Sequence, residues 1–305
     1  MAISSIGYMM ASYQSNPQEI KADIIGVLEY LIDLKKNISS DDSQNKAILE
    51  VYEVLLGALG KEFLPFVPVV LEHTLQCANK DINFVVEDDL TGAGGVKEGG
   101  KKDKGAQSMA IDLKVLGGKK ILTLNHNTLE QKVISFDLLK SMAKFLKKDL
   151  RPHLESIVEV MFQYIDYKFS AGIREFCYKS LTHLLGVCQD ESEMSRIFEM
   201  MGPKILDNAI AFLKIGNDEK SYSILKHFKR AAENFTTPCF SEPLMAKWIS
   251  ALEMSLAVCQ QRKAEILKEV GDIQALDEEQ REDFETEYAV PNLLMHVVMD
   301  TSSLW

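Results

Sequence analysis

The stretch from residue 129 to residue 188 repeats one pattern, in which an apolar-striped helix is followed by a short polar break and another striped helix. Apolar side chains recur every three or four residues, the spacing that places them on one face of an α-helix. The first stripe consists of Leu129, Val133, Phe136, Leu139, Ala143 and Leu146. The break ends at Pro152, a residue that the first turn of a helix tolerates. Helices of this kind must bury their stripes against one another.

The pattern recurs with the length of a helix-pair repeat. Asn127 and Ser170 open corresponding segments 43 residues apart, within the ~40–47 residues of HEAT and armadillo repeats. We therefore predict an all-α fold, a HEAT-repeat α-α superhelical solenoid with one inserted loop or β-hairpin. Such a solenoid usually holds another macromolecule against one long face. The spacing alone leaves an irregular helical bundle open as the alternative.

Striped segments along the chain predict a single array over residues 1–305, with about five helix pairs and a leading half-pair. Outside the opening stretch they lie at residues 3–14, 17–35, 43–61, 64–79, 193–215, 218–235, 242–273 and 288–303. An array that starts in the middle of a pair exposes an apolar flank, which capping repeats normally cover. We therefore expect this chain to be a piece of a longer protein.

Two segments interrupt the helical pattern. Residues 80–126 hold many glycines and lysines, followed by alternating apolar residues around Gly117-Gly118, and predict an inserted flexible loop with a hairpin. The 87 residues from Pro65 to Pro152 are therefore one repeat plus this insertion. Residues 276–288 carry seven carboxylates and one arginine, which predicts an acidic helix extension or loop.

Composition limits the kinds of partner. The net charge of −11 argues against binding nucleic acid, which requires clustered Lys and Arg, and it suits a protein that attracts basic partners. No apolar run approaches the ~20 residues of a membrane span, and no secretory signal opens the chain. The five widely spaced cysteines fit reduced, packed thiols in a cytosolic or nuclear protein.

Three patterns could carry catalytic or metal chemistry, and each is incomplete. Residues 95–102 nearly match a phosphate-binding loop, but Lys102 stands where the magnesium-binding hydroxyl belongs. His73 and Cys77 have metal-ligand spacing without further ligands, and Cys177 and His183 lie on different faces of their helix. We predict no cofactor, no metal and no enzyme activity. A nucleotide-dependent enzyme that uses the Gly/Lys loop remains an alternative hypothesis.

Carboxylates on the second helices of the pairs are the candidate partner-binding residues. If these helices line a concave surface, the side chains project from one side and could bind Lys or Arg of a partner. The candidates are Glu50, Glu53, Glu130, Asp137 and Glu175. A solvated surface is the alternative for each of them, as it is for the basic edge formed by Lys140, Lys144, Lys147 and Lys148.

Several short motifs, in collinear order, resemble an importin-β superfamily nuclear transport receptor of the importin-five (karyopherin-β3) type. They are Lys61-Glu62-Phe63-Leu64-Pro65-Phe66-Val67-Pro68-Val69-Val70-Leu71, Leu129-Glu130-Gln131-Lys132, Leu138-Leu139-Lys140-Ser141-Met142-Ala143-Lys144 and Gly172-Ile173-Arg174. The hairpin insertion and the late acidic stretch fall in the same order. The chain departs at Ser170-Ala171, where the family tends to have His-Asp, and it thereby lacks an Asp that usually ties neighbouring repeats together.

The resemblance implies a central-to-C-terminal fragment of a non-enzymatic receptor that moves between cytoplasm and nucleus through the nuclear pore. Its implied partners are cargo proteins with basic nuclear signals, the Ran GTPase, mainly through a missing N-terminal part, and FG-repeat nucleoporins. No residue of a strict family binding motif can be transferred, so the carboxylate candidates rest on geometry alone. The alternative function is a HEAT-repeat scaffold that organises an enzyme complex, such as a phosphatase.

Overall fold

The computed structural model describes residues 21–40, 42–82, 84–88, 106–113, 118–236 and 240–270. The chain divides into two compact units, Met1–Leu146 and Lys147–Trp305. The expected helices at 3–14 and 288–303, the glycine-rich part of the loop and the acidic segment 276–288 lie outside the described residues. The helices in each unit lie where the apolar stripes predicted helices.

The first unit contains four described helices, α1 (Lys21–Lys36), α2 (Gln44–Leu59), α3 (Val67–Asn79) and α4 (His126–Leu146). A 3-10 segment, Gly60–Phe66, joins α2 to α3 and buries Phe63. Helix α1 packs on α2, while α4 packs on both α2 and α3. Because α4 contacts α2 directly, the insertion does not separate neighbouring repeats. This outcome agrees with one repeat plus an insertion between Pro65 and Pro152.

Between α3 and α4 the structure has three strands, β1 (Phe84–Asp88), β2 (Ala106–Leu113) and β3 (Gly118–Asn125). They form an antiparallel sheet in the order β1-β3-β2, with Val86 opposite Leu122 and Met109 also opposite Leu122. The sheet contains the antiparallel pair of β2 and β3, whose strands flank residues 114–117, and a third strand, β1, that the sequence did not predict. The run Phe84-Val85-Val86 was missed because three apolar residues are too few to show the alternation of a strand.

Buried polar side chains fix the helices on either side of the insertion. Lys132 of α4 is almost fully buried and donates a hydrogen bond to the carbonyl of Ala78 at the end of α3. Burial lowers the pKa of this ammonium to about 8. The carbonyls in the last turn of a helix have no partner within the helix, and a cation near them is stabilising. Lys132 therefore ties the two helices together at the base of the insertion.

The second unit opens with a 3-10 segment, Lys147–His153, followed by α5 (Leu154–Tyr164), α6 (Ala171–Leu185), α7 (Glu191–Lys214), α8 (Asp218–Ala232) and α9 (Glu242–Val270). Along the chain α5 packs on α6, α6 packs on α7, and α7 packs on α8. In addition α5 contacts α7, α6 contacts α8, and α7 contacts α9. Alternate helices therefore form two layers, one of α5, α7 and α9 and the other of α6 and α8. This is the arrangement of stacked helix pairs.

Side-chain contacts recur at the separation of one repeat. Asn208 donates to Asp166, which lies 42 residues earlier, at 3.0 Å, and Ser241 donates to Glu199 over the same separation at 2.7 Å. Lys247 pairs with Asp207, 40 residues earlier, at 2.8 Å. These contacts confirm the repeat length predicted from the stripes of the opening stretch. Lys204 forms an ion pair with Asp166 at 3.0 Å. This pair joins neighbouring repeats close to Ser170-Ala171, where the chain lacks the Asp that the resemblance predicts.

Ser170 begins α6. Its side-chain oxygen accepts a hydrogen bond from the backbone N–H of Ile173 at 3.3 Å, while Asp190 and Asn217 cap α7 and α8 in the same way. Arg174 donates to the carbonyl of Tyr167 at 3.2 Å and so holds the preceding turn. The serine therefore keeps a capped helix start at the position of the departure.

The first unit contains one long apolar run. By length and composition alone, Gln44–Asn79 could cross a membrane, although the sequence was not expected to contain such a run. In the structure the run is two helices joined by a 3-10 segment. Leu49, Tyr52, Leu55 and Val70 within it are buried, and the core helices of a soluble protein pass the same test.

Candidate partner-binding surface

Two helices of the first unit that pack on each other, α2 and α4, hold four of the five candidate carboxylates. Lys46, near the start of α2, forms an ion pair with Glu130, near the start of α4, at 3.0 Å. Glu130 also lies 3.1 Å from the ring of His126. Both side chains of the Lys46–Glu130 pair are about one-third exposed, at 34% and 37%. A partner can therefore reach this pair from solvent.

Further along the same two helices, Glu53 accepts a hydrogen bond from the hydroxyl of Ser141 at 2.6 Å. Burial is the main reason that the pKa of Glu53 is raised, with the nearby negative charge of Asp137 adding to it. Asp137 in turn pairs with Lys140. The structure thus brings Glu53 and Asp137 into electrostatic contact, which their separation in the sequence does not reveal.

Glu50 lies between these two groups on α2, one helical turn from both Lys46 and Glu53. It is partly exposed. Glu50, Glu53, Glu130 and Asp137 form what we term the α2/α4 ladder, together with the lysines that pair with two of them. The ladder is of mixed charge, since Lys46 and Lys140 already neutralise Glu130 and Asp137. A basic partner would have to displace these lysines or bind beside them.

The fifth candidate, Glu175, lies in the second unit, where its surroundings are basic. It forms an ion pair with Lys179 one turn further along α6. Both side chains line an open groove of about 490 Å³ between α6 and α8. The other lining residues are Tyr178, Glu219, Lys220, Tyr222, Ser223, Lys226, His227 and Arg230. We call this feature the α6/α8 groove.

The groove has an aromatic wall. The rings of Tyr178 and His227 lie 6.2 Å apart between centroids. Burial, followed by the charges of Lys179, Arg230 and Lys226, lowers the pKa of His227 to about 4. Burial likewise raises the pKa of the Tyr178 phenol. Both side chains are therefore neutral at pH 7, and the positive charge of the groove comes from its lysines and its arginine.

Three of the residues with possible metal or nucleophilic chemistry, His73, Cys77 and Cys177, lie in the core, and His183 is half-buried. His73 is buried, and its Nε2 lies 3.1 Å from Oδ1 of Asn45. Cys77 and Cys177 are free and buried, and burial raises both thiol pKa values, which opposes formation of the reactive thiolate. Among the described residues, no three His, Cys, Asp or Glu side chains are grouped to hold a metal ion. The phosphate-loop-like residues 95–102 lie outside the described part.

No protein-family model matches the chain, and no curated protein matches its sequence. Solved structures do resemble it in fold. Kap121p bound to Ste12p and Kap121p bound to Nup53p each superpose with a TM-score of 0.65 at 16% identity, over 93% of this chain and 25% of theirs.

Kap121p bound to RanGTP superposes with a TM-score of 0.62 at 14% identity, over 94% of this chain and 26% of that one. The chain thus spans about a quarter of the length of these solved proteins. At such low identity the likeness concerns the fold. The helix-pair array therefore resembles in fold the solved protein Kap121p, a karyopherin.

Proposed function

We propose that this chain is part of a nuclear transport receptor of the importin-β superfamily, of the importin-five type, and that it binds other proteins without catalysing a reaction. The observation that carries the proposal is the superposition of almost the whole array on Kap121p, a karyopherin solved with several bound proteins. The collinear sequence motifs supply independent support. The receptor would work in the cytoplasm, in the nucleus and at the nuclear pore.

Under this proposal the α2/α4 ladder receives the basic signal of a cargo protein. Glu50, Glu53, Glu130 and Asp137 are available to Lys or Arg side chains at the surface of one pair of helices. A partner's cation could replace Lys46 beside Glu130 or Lys140 beside Asp137, so each new ion pair would cost one existing pair. Exchange of this kind gives specificity and salt sensitivity more than raw affinity. Binding is therefore expected to weaken as the salt concentration rises.

The remaining proposed partners are the Ran GTPase, mainly through segments beyond this chain, and FG-repeat nucleoporins. Solved Kap121p structures include complexes with RanGTP and with Nup53p, which supports partners of these kinds. The alternative of a scaffold for an enzyme complex such as a phosphatase gains no support from these likenesses. Neither cofactor nor metal has a part in the proposed function.

A capture experiment tests the proposal. The purified chain is immobilised at low salt and offered a lysine-rich nuclear-signal peptide, the same peptide with every lysine replaced by glutamine, Ran locked on GTP, and Ran bound to GDP. We expect capture of the basic peptide and not of its neutral counterpart, and any capture of Ran to prefer the GTP form. If neither the basic peptide nor GTP-locked Ran is retained, the transport proposal is wrong.

A further inference from the structure

The α6/α8 groove is the described feature that the proposed function leaves unused. Four of its lining residues are cationic, namely Lys179, Lys220, Lys226 and Arg230, whereas only Glu175 and Glu219 are anionic. Lys179 is engaged by Glu175. Within the part of the chain that the structure describes, no carboxylate forms an ion pair with Lys220, Lys226 or Arg230. The groove therefore has an excess of positive charge in a protein whose net charge is −11.

These cations are held beside aromatic rings. The ammonium of Lys226 lies 5.4 Å from the ring centroid of Tyr222, and that of Lys220 lies 5.6 Å from the ring centroid of Phe212. Cation–π contacts of this length contribute about 0.5–1 kcal/mol at exposed sites. They leave the positive charge uncompensated, so an anion can still be bound by it. The rings restrict where the ammonium groups can lie.

The dimensions of the groove suit a short peptide. Its α8 residues run from Glu219 to Arg230, which at 1.5 Å per residue is about 16 Å of helix. At about 3.3 Å per residue, an extended peptide of roughly five residues covers this length. Tyr178 is buried and hydrogen-bonds with Ser223, whereas Tyr222 lines the same groove with a phenol that can donate a hydrogen bond to a carboxylate.

We propose that the α6/α8 groove binds a short acidic segment, rich in Asp and Glu, of a partner protein. Lys226 and Arg230 would provide charge-assisted hydrogen bonds to its carboxylates, while Tyr222 would pack against its aliphatic carbons. A short carboxylate peptide fits better than a nucleic acid, because the acidic remainder of the chain repels an extended polyanion. The site is additional to the α2/α4 ladder and recognises the opposite charge.

Fluorescence anisotropy with the intact chain tests the site, using a labelled decapeptide of alternating Glu and Gly as the probe. The test variant is Lys226→Glu with Arg230→Glu. The matched control, Lys168→Glu with Lys214→Glu, changes the net charge equally at exposed positions of the same unit outside the groove. We expect the test variant to bind about tenfold more weakly or worse, since each surface ion pair contributes up to ~1 kcal/mol. The control should bind like the unmodified chain.

Two further arms identify the occupant. If a single-stranded decanucleotide binds more tightly than the peptide and is lost in the same test variant, the groove is a nucleic-acid site and the proposal is overturned. In the second arm Glu278, Glu279 and Glu282 are replaced by Gln. Unchanged peptide affinity supports an external partner, whereas an affinity that rises several-fold shows that the chain's own acidic segment competes for the groove. Equal binding by the test and control variants also overturns the proposal.

Discussion

His73 has metal-ligand spacing in the sequence, but in the structure it forms a buried hydrogen bond with Asn45 in the first unit. The amide nitrogen of Asn45 lies 2.9, 3.1 and 3.0 Å from the carbonyls of Ser39, Ser40 and Asp42, so its two hydrogens are shared among these three acceptors. The amide oxygen of Asn45 must therefore be the acceptor for His73, so Nε2 of the ring carries the proton. Through this chain of hydrogen bonds, α3 is tied to the turn between α1 and α2.

The buried imidazole makes stability depend on pH. Burial lowers the pKa of His73 from 6.5 to about 3, so below pH 6.5 the unfolded chain binds a proton that the folded chain does not. Stability is thus lost as the pH falls from 6.5 towards 3, by up to about 1.4 kcal/mol per pH unit. Urea unfolding at pH 7.5, 6.0 and 5.0 should show this loss in the unmodified chain and a smaller one in His73→Gln. Equal pH dependence in the two proteins would refute this role of His73.

Ser170 provides a second test at the scale of one residue. Because its hydroxyl caps α6, Ser170→Ala should lower the free energy of unfolding by about 1 kcal/mol. Ser170→Asp should be nearly neutral, since aspartate is an equally good capping residue. Chemical denaturation of the two variants measures this difference. If alanine and aspartate have the same effect, the cap does not stabilise this helix.

At the scale of elements, an aromatic cluster joins three helices of the second unit. Phe198 of α7 stacks on Phe228 of α8 with 5.0 Å between ring centroids, and Phe228 lies 4.9 Å from Trp248 of α9. Gly202 allows this close packing, because a Cβ there would lie 3.1 Å from Leu244 and 3.2 Å from Phe228. Both layers of the helix-pair array meet in this cluster.

Phe228→Ala should therefore destabilise the second unit by about 3–5 kcal/mol, as buried aromatic truncations do. The matched control is Ile215→Ala, because Ile215 is 73% exposed and its truncation should change stability by no more than about 0.5 kcal/mol. Thermal or urea unfolding compares the two variants. A small effect of Phe228→Ala would mean that the α7–α8–α9 packing is not as described.

The helices were predictable from the sequence because each needs a long apolar stripe, and residues 193–215 and 218–235 are clear cases. Strand β1 was not predictable, since Phe84-Val85-Val86 is too short to show a period. The 3-10 segments Gly60–Phe66 and Lys147–His153 were also missed. Each contains a proline. In the sequence these prolines were interpreted as the starts of the following α-helices, so a separate 3-10 segment was not predicted.

The candidate sites were also predictable only in part. The positions of Glu130 and Asp137 on α4 follow from the sequence, and so does the pairing of Asp137 with Lys140, three residues later. The pairing of Glu130 with Lys46 joins two helices and is seen only in the structure. Glu175 was interpreted as acidic surface because only α6 was considered. Its basic surroundings come from α8, more than 40 residues later in the chain, where Lys226 and Arg230 share a face at a four-residue spacing.

At the scale of the whole molecule, each unit repeats the same helix-pair design and carries a surface of its own character. The first presents the mixed-charge α2/α4 ladder, and the second presents the basic α6/α8 groove. The proposed transport function requires partners to be bound and released, and ion pairs that exchange counterions are suited to reversible binding. We propose that a basic signal binds at the α2/α4 ladder.

The most direct test is the affinity of the intact chain for a lysine-rich nuclear-signal peptide, measured by fluorescence anisotropy at low salt. The test variant changes Glu50, Glu53, Glu130 and Asp137 to Gln or Asn, and the control makes the same change at the exposed Asp23, Glu29, Asp33 and Glu72 on α1 and α3. We predict at least about tenfold weaker binding for the test variant and unchanged binding for the control. No binding by the unmodified chain, or equal binding by both variants, would contradict the claim.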